Sequence, residues 1–196
     1  PHLKEIKNKA IIVCVDTALR FCIKYNVEPD FIVLTDPQYW AYKHIDGIKS
    51  PSSILITESA VYPSVFRFLC KKIICCKSNF PLEHYFDSFR SEKGTLVAGG
   101  SVASTAWNFA QYAGASEIYV AGLDLAFVNK QTHIKGSTFE QATHTTSKRI
   151  ATAETSNMPI LFSGNACYEK NYKQENVLTD QRMKMFAWWF ESRLEQ

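Results

Sequence analysis

The sequence predicts an α/β protein: one three-layer α/β/α domain built on a mostly parallel sheet. Three observations carry this. Short apolar runs recur between segments of helical periodicity, as in 10–15, 31–34, 53–57, 73–76 and 118–121. The runs are continuous rather than alternating, as in strands covered on both faces. Each is followed by a turn or a capping residue rather than by a tight hairpin signal, so the strands are joined by crossovers.

In order, Ala10–Val15 (AIIVCV) reads as the first buried strand, with Asp16 and Thr17 at its carboxyl end. A helix follows to Tyr25, turning Ala18, Leu19, Cys22 and Ile23 inward, and Asn26 suits a left-handed cap. The second strand, FIVL, ends in Thr35, Asp36 and Pro37; the proline suits the first turn of a helix over 38–45. SILIT is the third strand, ending at Glu58, followed by a short helix over 63–70. The fourth strand is 73–76, and 81–89 reads as a helix rich in aromatics.

Residues 96–127, LVAGGSVASTAWNFAQYAGASEIYVAGLDLAF, carry the densest signal. Gly99 and Gly100 form a turn that can reach positive φ, Ser101 caps the next helix, and Gly114 ends it. IYVA at 118–121 reads as a central strand, which would set Asp124 at its carboxyl end, where open α/β sheets bind ligands. A glycine turn at a helix N-terminus suits a phosphate.

Residues 129–157 are polar, with little hydrophobic periodicity, and read as a lid loop carrying His133 and Lys135. Residues 159–162 form a short apolar run, 164–165 a turn, and 179–193 a last helix with Thr179 as its N-cap.

Composition narrows the function. The chain has 196 residues, 46% hydrophobic and 21% charged, with a net charge of +3, which gives no case for nucleic acid. No apolar run approaches the roughly 20 residues of a membrane span, and no signal peptide is in view. The six cysteines form no CxxC pair, so they read as buried reduced thiols in a cytoplasmic protein rather than as a zinc site. The chain begins at Pro1 and reads as part of a larger protein.

The candidate site is the rim where the strands end in Asp16, Asp36, Glu58 and Asp124. Carboxylates there can bond ribose hydroxyls or hold Mg²⁺ over phosphates, and can equally cap the following helices. A loop histidine such as His133 can move a proton near neutral pH, with Lys135 beside it to balance phosphate charge. No Walker A, GxSxG or HExxH motif is present.

Two segments resemble a known family. IIVCVDTALRFCIKYNVEPDFIVLTDP and GGSVASTAWNFAQYAGASEIYVAGLDLAF…THIKGS are similar to the paired motifs of the motility-associated factor (Maf) glycosyltransferases. Their central domain is shared with MptE-like 6-hydroxymethylpterin diphosphokinases. The Gly-x-Gly-Pro-Ser-Leu segment that usually precedes the first motif would lie before Pro1, where this sequence begins. The resemblance implies a Rossmann-like domain similar to bacterial sialyltransferases. It also implies transfer of a nonulosonic acid from a CMP-sugar to Ser or Thr of flagellin. Matching positions are Asp16, Thr17, Asp36, Gly99, Gly100, Ser101, Asp124 and His133. In this reading His133, Asp124 and Asp16 are catalytic. Thr17, Asp36, Gly99, Gly100, Ser101 and Lys135 bind nucleotide. No cofactor is required. The alternatives are a diphosphokinase using ATP and Mg²⁺, and a noncatalytic nucleotide- or glycan-binding module. Metal ligands and homo-oligomerisation are left open.

Overall fold

The computed structural model describes residues 2–78, 80–90 and 93–194. The chain divides into two compact units, Pro1–Ile118 and Tyr119–Gln196.

The first unit is an α/β/α sandwich. A short helix α1 (His2–Ile6) precedes β1 (Val13–Val15), α2 (Asp16–Lys24), β2 (Phe31–Leu34), α3 (Tyr39–Ile45) and β3 (Lys49–Glu58). A 3₁₀ turn (Pro63–Arg67), β4 (Leu69–Cys76), α4 (Pro81–Asp87) and α5 (Val102–Tyr112) follow. The four strands lie in the order β1-β2-β3-β4, all parallel. Because side chains alternate along a strand, each strand feeds both faces. Cys14, Ile32, Leu34 and Leu55 point to one side, where they bury Leu19 and Cys22 of α2 and Ala41 and Ile45 of α3. Val13, Phe31, Val33, Ile54 and Ile56 point to the other, where Val102, Ala106 and Phe109 of α5 cover them. Phe109 packs on Phe31 with ring centroids 5.0 Å apart.

The helix ends obey local chemistry. Asn26 leaves α2 with φ 57° and Gly114 follows α5 with φ 85°. Ser101 caps α5, its hydroxyl accepting the Ser104 N–H. The β3–β4 connection is tighter than the sequence suggests: the helix expected over 63–70 is only a 3₁₀ turn, and β4 begins at Leu69.

The strand expected at 118–121 does not form. Residues 118–121 are irregular, Tyr119 is 88% exposed and Val120 50%. An apolar run becomes a strand only where a neighbour completes its backbone ladder, and periodicity does not reveal the neighbour. Beyond β4 the sheet is extended instead by an isolated parallel bridge between Lys77 and Thr95. That bridge carries Leu96 into the core beside Val33, Ile56 and Cys76.

The second unit contains α6 (Thr138–Thr146), α7 (Ala153–Phe162), an antiparallel hairpin of β5 (Cys167–Lys170) and β6 (Asn176–Thr179), and α8 (Gln181–Leu194). Its core is Phe127, Leu161 and Leu178 with Ala166 and Met183 against them. The segment 129–157, expected to be a loop, holds α6 and the start of α7. Its signal is in the caps rather than in periodicity. Ser137 accepts the Glu140 N–H while the Glu140 carboxylate reaches back to the Gly136 N–H, a variant of the S-x-x-E capping box. Thr152 caps α7 in turn, accepting the Thr155 N–H. The apolar run 159–162 is the last turn of α7, with Pro159 inside the helix.

The cap of α8 is Asp180 rather than Thr179. The fully buried Asp180 accepts the Met183 N–H at 2.9 Å and is gripped by Arg182 at 2.6 Å. The Thr179 hydroxyl is used elsewhere, donating to Leu125 O. Gly164 lies so close that a Cβ on it would stand 2.2 Å from Asp180 Oδ2.

Candidate active site at the carboxyl rim

Parallel pairing sets the carboxyl ends of β1 to β4 on one rim, and residues just past each strand line it. Asp16 follows β1 with no loop between, as the first residue of α2. It is 3% exposed. Burial pushes its pKa up to about 7; the Thr17 N–H and its own N–H oppose this, and the nearby Asp36 charge adds to it. A carboxyl poised there holds or releases a proton near neutral pH. Thr17, half-buried, begins the same helical turn. Asp36 lies just past β2, half-buried, with Oδ1 accepting the Gln38 N–H at 2.8 Å in an Asx turn.

The rim continues across the sheet. The Thr57 hydroxyl donates to Leu34 O at 2.6 Å, tying the ends of β2 and β3 together. Glu58 closes β3. Burial raises its pKa, a hydrogen bond with Ser78 opposes the rise, and the neighbouring Glu83 charge adds to it. Glu83 is itself held by Lys93, whose ammonium also lies 3.4 Å from Asp87. Ser78, two residues past β4, has no sequence motif of its own; only the parallel register places it beside Glu58.

The glycine turn reaches this rim through α5. Leu96 packs on Val33, Ile56 and Cys76, toward the carboxyl ends of their strands, whereas Phe109 near the other end of α5 packs on Phe31, the first residue of β2. The helix therefore runs away from the rim, and its N-terminus with Gly99, Gly100 and Ser101 faces it. Gly100 takes φ 88°. The Gly99 N–H donates to Ser104 Oγ at 2.8 Å, so it holds the turn together instead of facing outward. Any anion at this helix end meets the donors after Gly99.

The first unit thus brings together Asp16, Thr17, Asp36, Gly99, Gly100 and Ser101. The other three candidates belong to the second unit. Asp124 is exposed in an irregular segment rather than at the end of a sheet strand. His133 is half-buried, with its ring 4.4 Å from the Phe139 ring and Nδ1 3.2 Å from the Thr132 hydroxyl. Burial lowers its pKa, which keeps the imidazole neutral at pH 7. Lys135 is exposed. Among the described residues, no group of three or more His, Cys, Asp or Glu is arranged to hold a metal ion, and no helix is long and apolar enough to cross a membrane.

A comparison with known proteins gives this rim its context. The sequence profile of the 6-hydroxymethylpterin diphosphokinase MptE-like family matches residues 1–130. The chain belongs to the MptE-like family. The match covers the whole first unit, so the MptE-like part includes every residue just placed on the rim. Two uncharacterised proteins of Treponema pallidum (strain Nichols) are relatives of this MptE-like chain. One is 35% identical over 199 residues, covering 86% of this chain and 51% of the relative. The other is 28% identical over 156 residues, covering 79% and 34%. The MptE-like chain therefore spans about half, or less, of the length of these relatives. Among solved structures, the Maf glycosyltransferase from Magnetospirillum magneticum AMB-1 has the same fold over 95% of this chain and 27% of its own. The TM-score is 0.64 at 17% sequence identity, a likeness of fold.

Proposed function

We propose that this MptE-like chain is the nucleotide-handling part of a glycosyltransferase, one that moves a nonulosonic acid from a CMP-sugar to Ser or Thr of flagellin in the cytoplasm. The observation that carries the reading is the meeting, on one rim, of a proton-holding Asp16, a second carboxylate at Asp36 and the N-terminus of α5. Support comes also from the fold shared with a Maf glycosyltransferase along nearly the whole chain.

In this reading the donors at Gly100 and Ser101 and the free end of α5 hold the nucleotide phosphate. Asp16 and Asp36 bond ribose hydroxyls, as acidic residues at strand ends do in nucleotide sites. The roles proposed for the second unit are chemical. His133, neutral at pH 7, has a nitrogen able to take the proton of an acceptor hydroxyl. Lys135 balances the charge on a departing phosphate, and Asp124 orients a hydroxyl.

The family description favours a second reading, a diphosphokinase acting on a pterin with ATP. Magnesium is commonly held by one or two carboxylates together with substrate phosphates, and Asp16 and Asp36 are two carboxylates near the helix end proposed for phosphate. Bound there, the ion would neutralise charge on the transferring phosphates.

Calorimetric titration of the chain, and of the full-length protein, with CMP and ATP in EDTA or Mg²⁺ separates the two. The glycosyltransferase reading expects CMP to bind in EDTA at least as tightly as ATP binds in Mg²⁺. Strict Mg²⁺ dependence with a clear preference for ATP would overturn it in favour of the diphosphokinase.

A further inference from the structure

The chain leaves β2 through Asp36 and enters α3 at Tyr39. It leaves β3 through Glu58 and reaches the 3₁₀ turn through Tyr62. The two strands are parallel neighbours, so both connections start from the carboxyl rim. Their aromatic side chains meet there. Tyr39 and Tyr62 have ring centroids 5.3 Å apart at 73°, and Tyr42 stacks on Tyr62 at 5.4 Å and 26°. Trp40 stands edge-on to Tyr39 at 5.9 Å.

The cluster is held in place by charge. The Lys43 ammonium lies 6.0 Å from the Tyr39 ring centre and 5.9 Å from that of Tyr42. Asp46 pairs with Lys43 and accepts the Tyr42 hydroxyl at 2.8 Å. Yet Tyr39 is 47% exposed and Trp40 44%. Aromatic side chains clustered, braced and half in water form a preorganised surface. A braced Tyr39 ring with Trp40 edge-on to it, both half open and on the connection that follows Asp36, fits a flat, polar-edged ring better than a broad apolar partner face.

We propose that Tyr39, with Trp40 edge-on beside it, forms a stacking platform for the planar heteroaromatic ring of the ligand whose polar part is held at Asp36 and Asp16. This rests on reading the rim as a nucleotide site. It does not depend on the reaction, because a cytosine, an adenine and a pterin all present such a ring. Asp36 stands three residues before Tyr39, so its carboxylate and the ring belong to one connection. Stacking is worth about five- to tenfold in affinity per ring at the low end of measured bases.

The test titrates the chain with CMP, ATP plus Mg²⁺, 6-hydroxymethylpterin and ribose 5-phosphate, the last having the polar anchor without the ring. Tyr39→Ala and Trp40→Ala should each weaken the ring ligands about five- to tenfold and leave ribose 5-phosphate unchanged. Tyr39→Phe, which keeps the ring, should stay within about twofold of the wild type. Ring ligands should quench tryptophan fluorescence, and Trp40→Phe should abolish that quench while still binding. Whichever ring ligand shows the loss identifies the occupant. Should Tyr39→Ala misfold, the Trp40→Phe quench still decides. Binding of every ring ligand that is equal in the wild type, Tyr39→Ala and Trp40→Ala would overturn the platform and leave the nucleotide site standing. Failure of every ring ligand to bind the wild type would overturn both.

Discussion

Asp16→Asn isolates the physical character of the rim. The substitution keeps the shape of the side chain and removes its ability to ionise. In the folded chain the Asp16 carboxyl holds its proton to about pH 7, whereas in an unfolded chain an aspartate lets go near 3.9. Between these values the folded state binds more protons than the unfolded state. Stability therefore falls as pH rises from about 4 to 7 and levels off above. Full ionisation of the buried carboxyl amounts to roughly 4 kcal/mol at 1.36 kcal/mol per tenfold. Water reaching the site and local relaxation reduce that to about 2–4 kcal/mol. Asparagine avoids this term but buries an amide NH₂ in place of one carboxyl oxygen, a loss of about 1 kcal/mol. Net, Asp16→Asn should be more stable than the wild type by about 1–3 kcal/mol at pH 8, and equal or about 1 kcal/mol less stable at pH 4.5. Urea unfolding at pH 4.5, 6 and 8 measures this, with unchanged m showing that only stability moved. The same variant should bind nucleotide more weakly, since the ribose contact proposed for Asp16 is altered. A variant destabilised by the same amount at every pH would refute the account, because the buried charge would then contribute nothing.

Three further substitutions probe the remaining parts. Gly100→Val places a β-branched residue at φ 88°; it should lose about 1–2 kcal/mol of stability and weaken CMP or ATP binding in a titration, and unchanged affinity would remove the phosphate role from this turn. Gly164→Ala drives a Cβ to 2.2 Å from Asp180 Oδ2, displacing the cap of α8. A loss of about 1–3 kcal/mol, read as a lower thermal midpoint, is expected, and an unchanged midpoint would show that Asp180 moves aside freely. On the proposed glycosyltransferase function, His133→Ala in the full-length protein should lower sugar transfer to flagellin more than nucleotide affinity. Because burial holds the His133 pKa below its usual value, the wild-type rate should persist to more acid pH than an ordinary histidine base would allow. Full activity in that variant would take His133 out of the mechanism.

The sequence by itself determined the α/β class, because strand and helix periodicities and the residues that end helices are local properties. Asn26, Ser101 and Gly114 act as their side chains dictate whatever surrounds them. The same locality makes α6 legible from Ser137 and Glu140 once caps are weighed above apolar spacing, which the polar composition of 129–157 obscured. It also put Asp16 and Asp36 at strand ends, since an acidic residue after an apolar run needs no tertiary information to be seen. Only the tertiary structure decided the rest. An apolar run at 118–121 has the composition of a central strand, but strandhood is a pairing, and among the described residues it has none. Asp124 consequently leaves the sheet, while Ser78 arrives beside Glu58 because β3 and β4 pair in parallel. The proton affinity of Asp16 is likewise a tertiary quantity. It follows from burial and from the charge of a residue twenty positions away, and neither is written in the residues beside it.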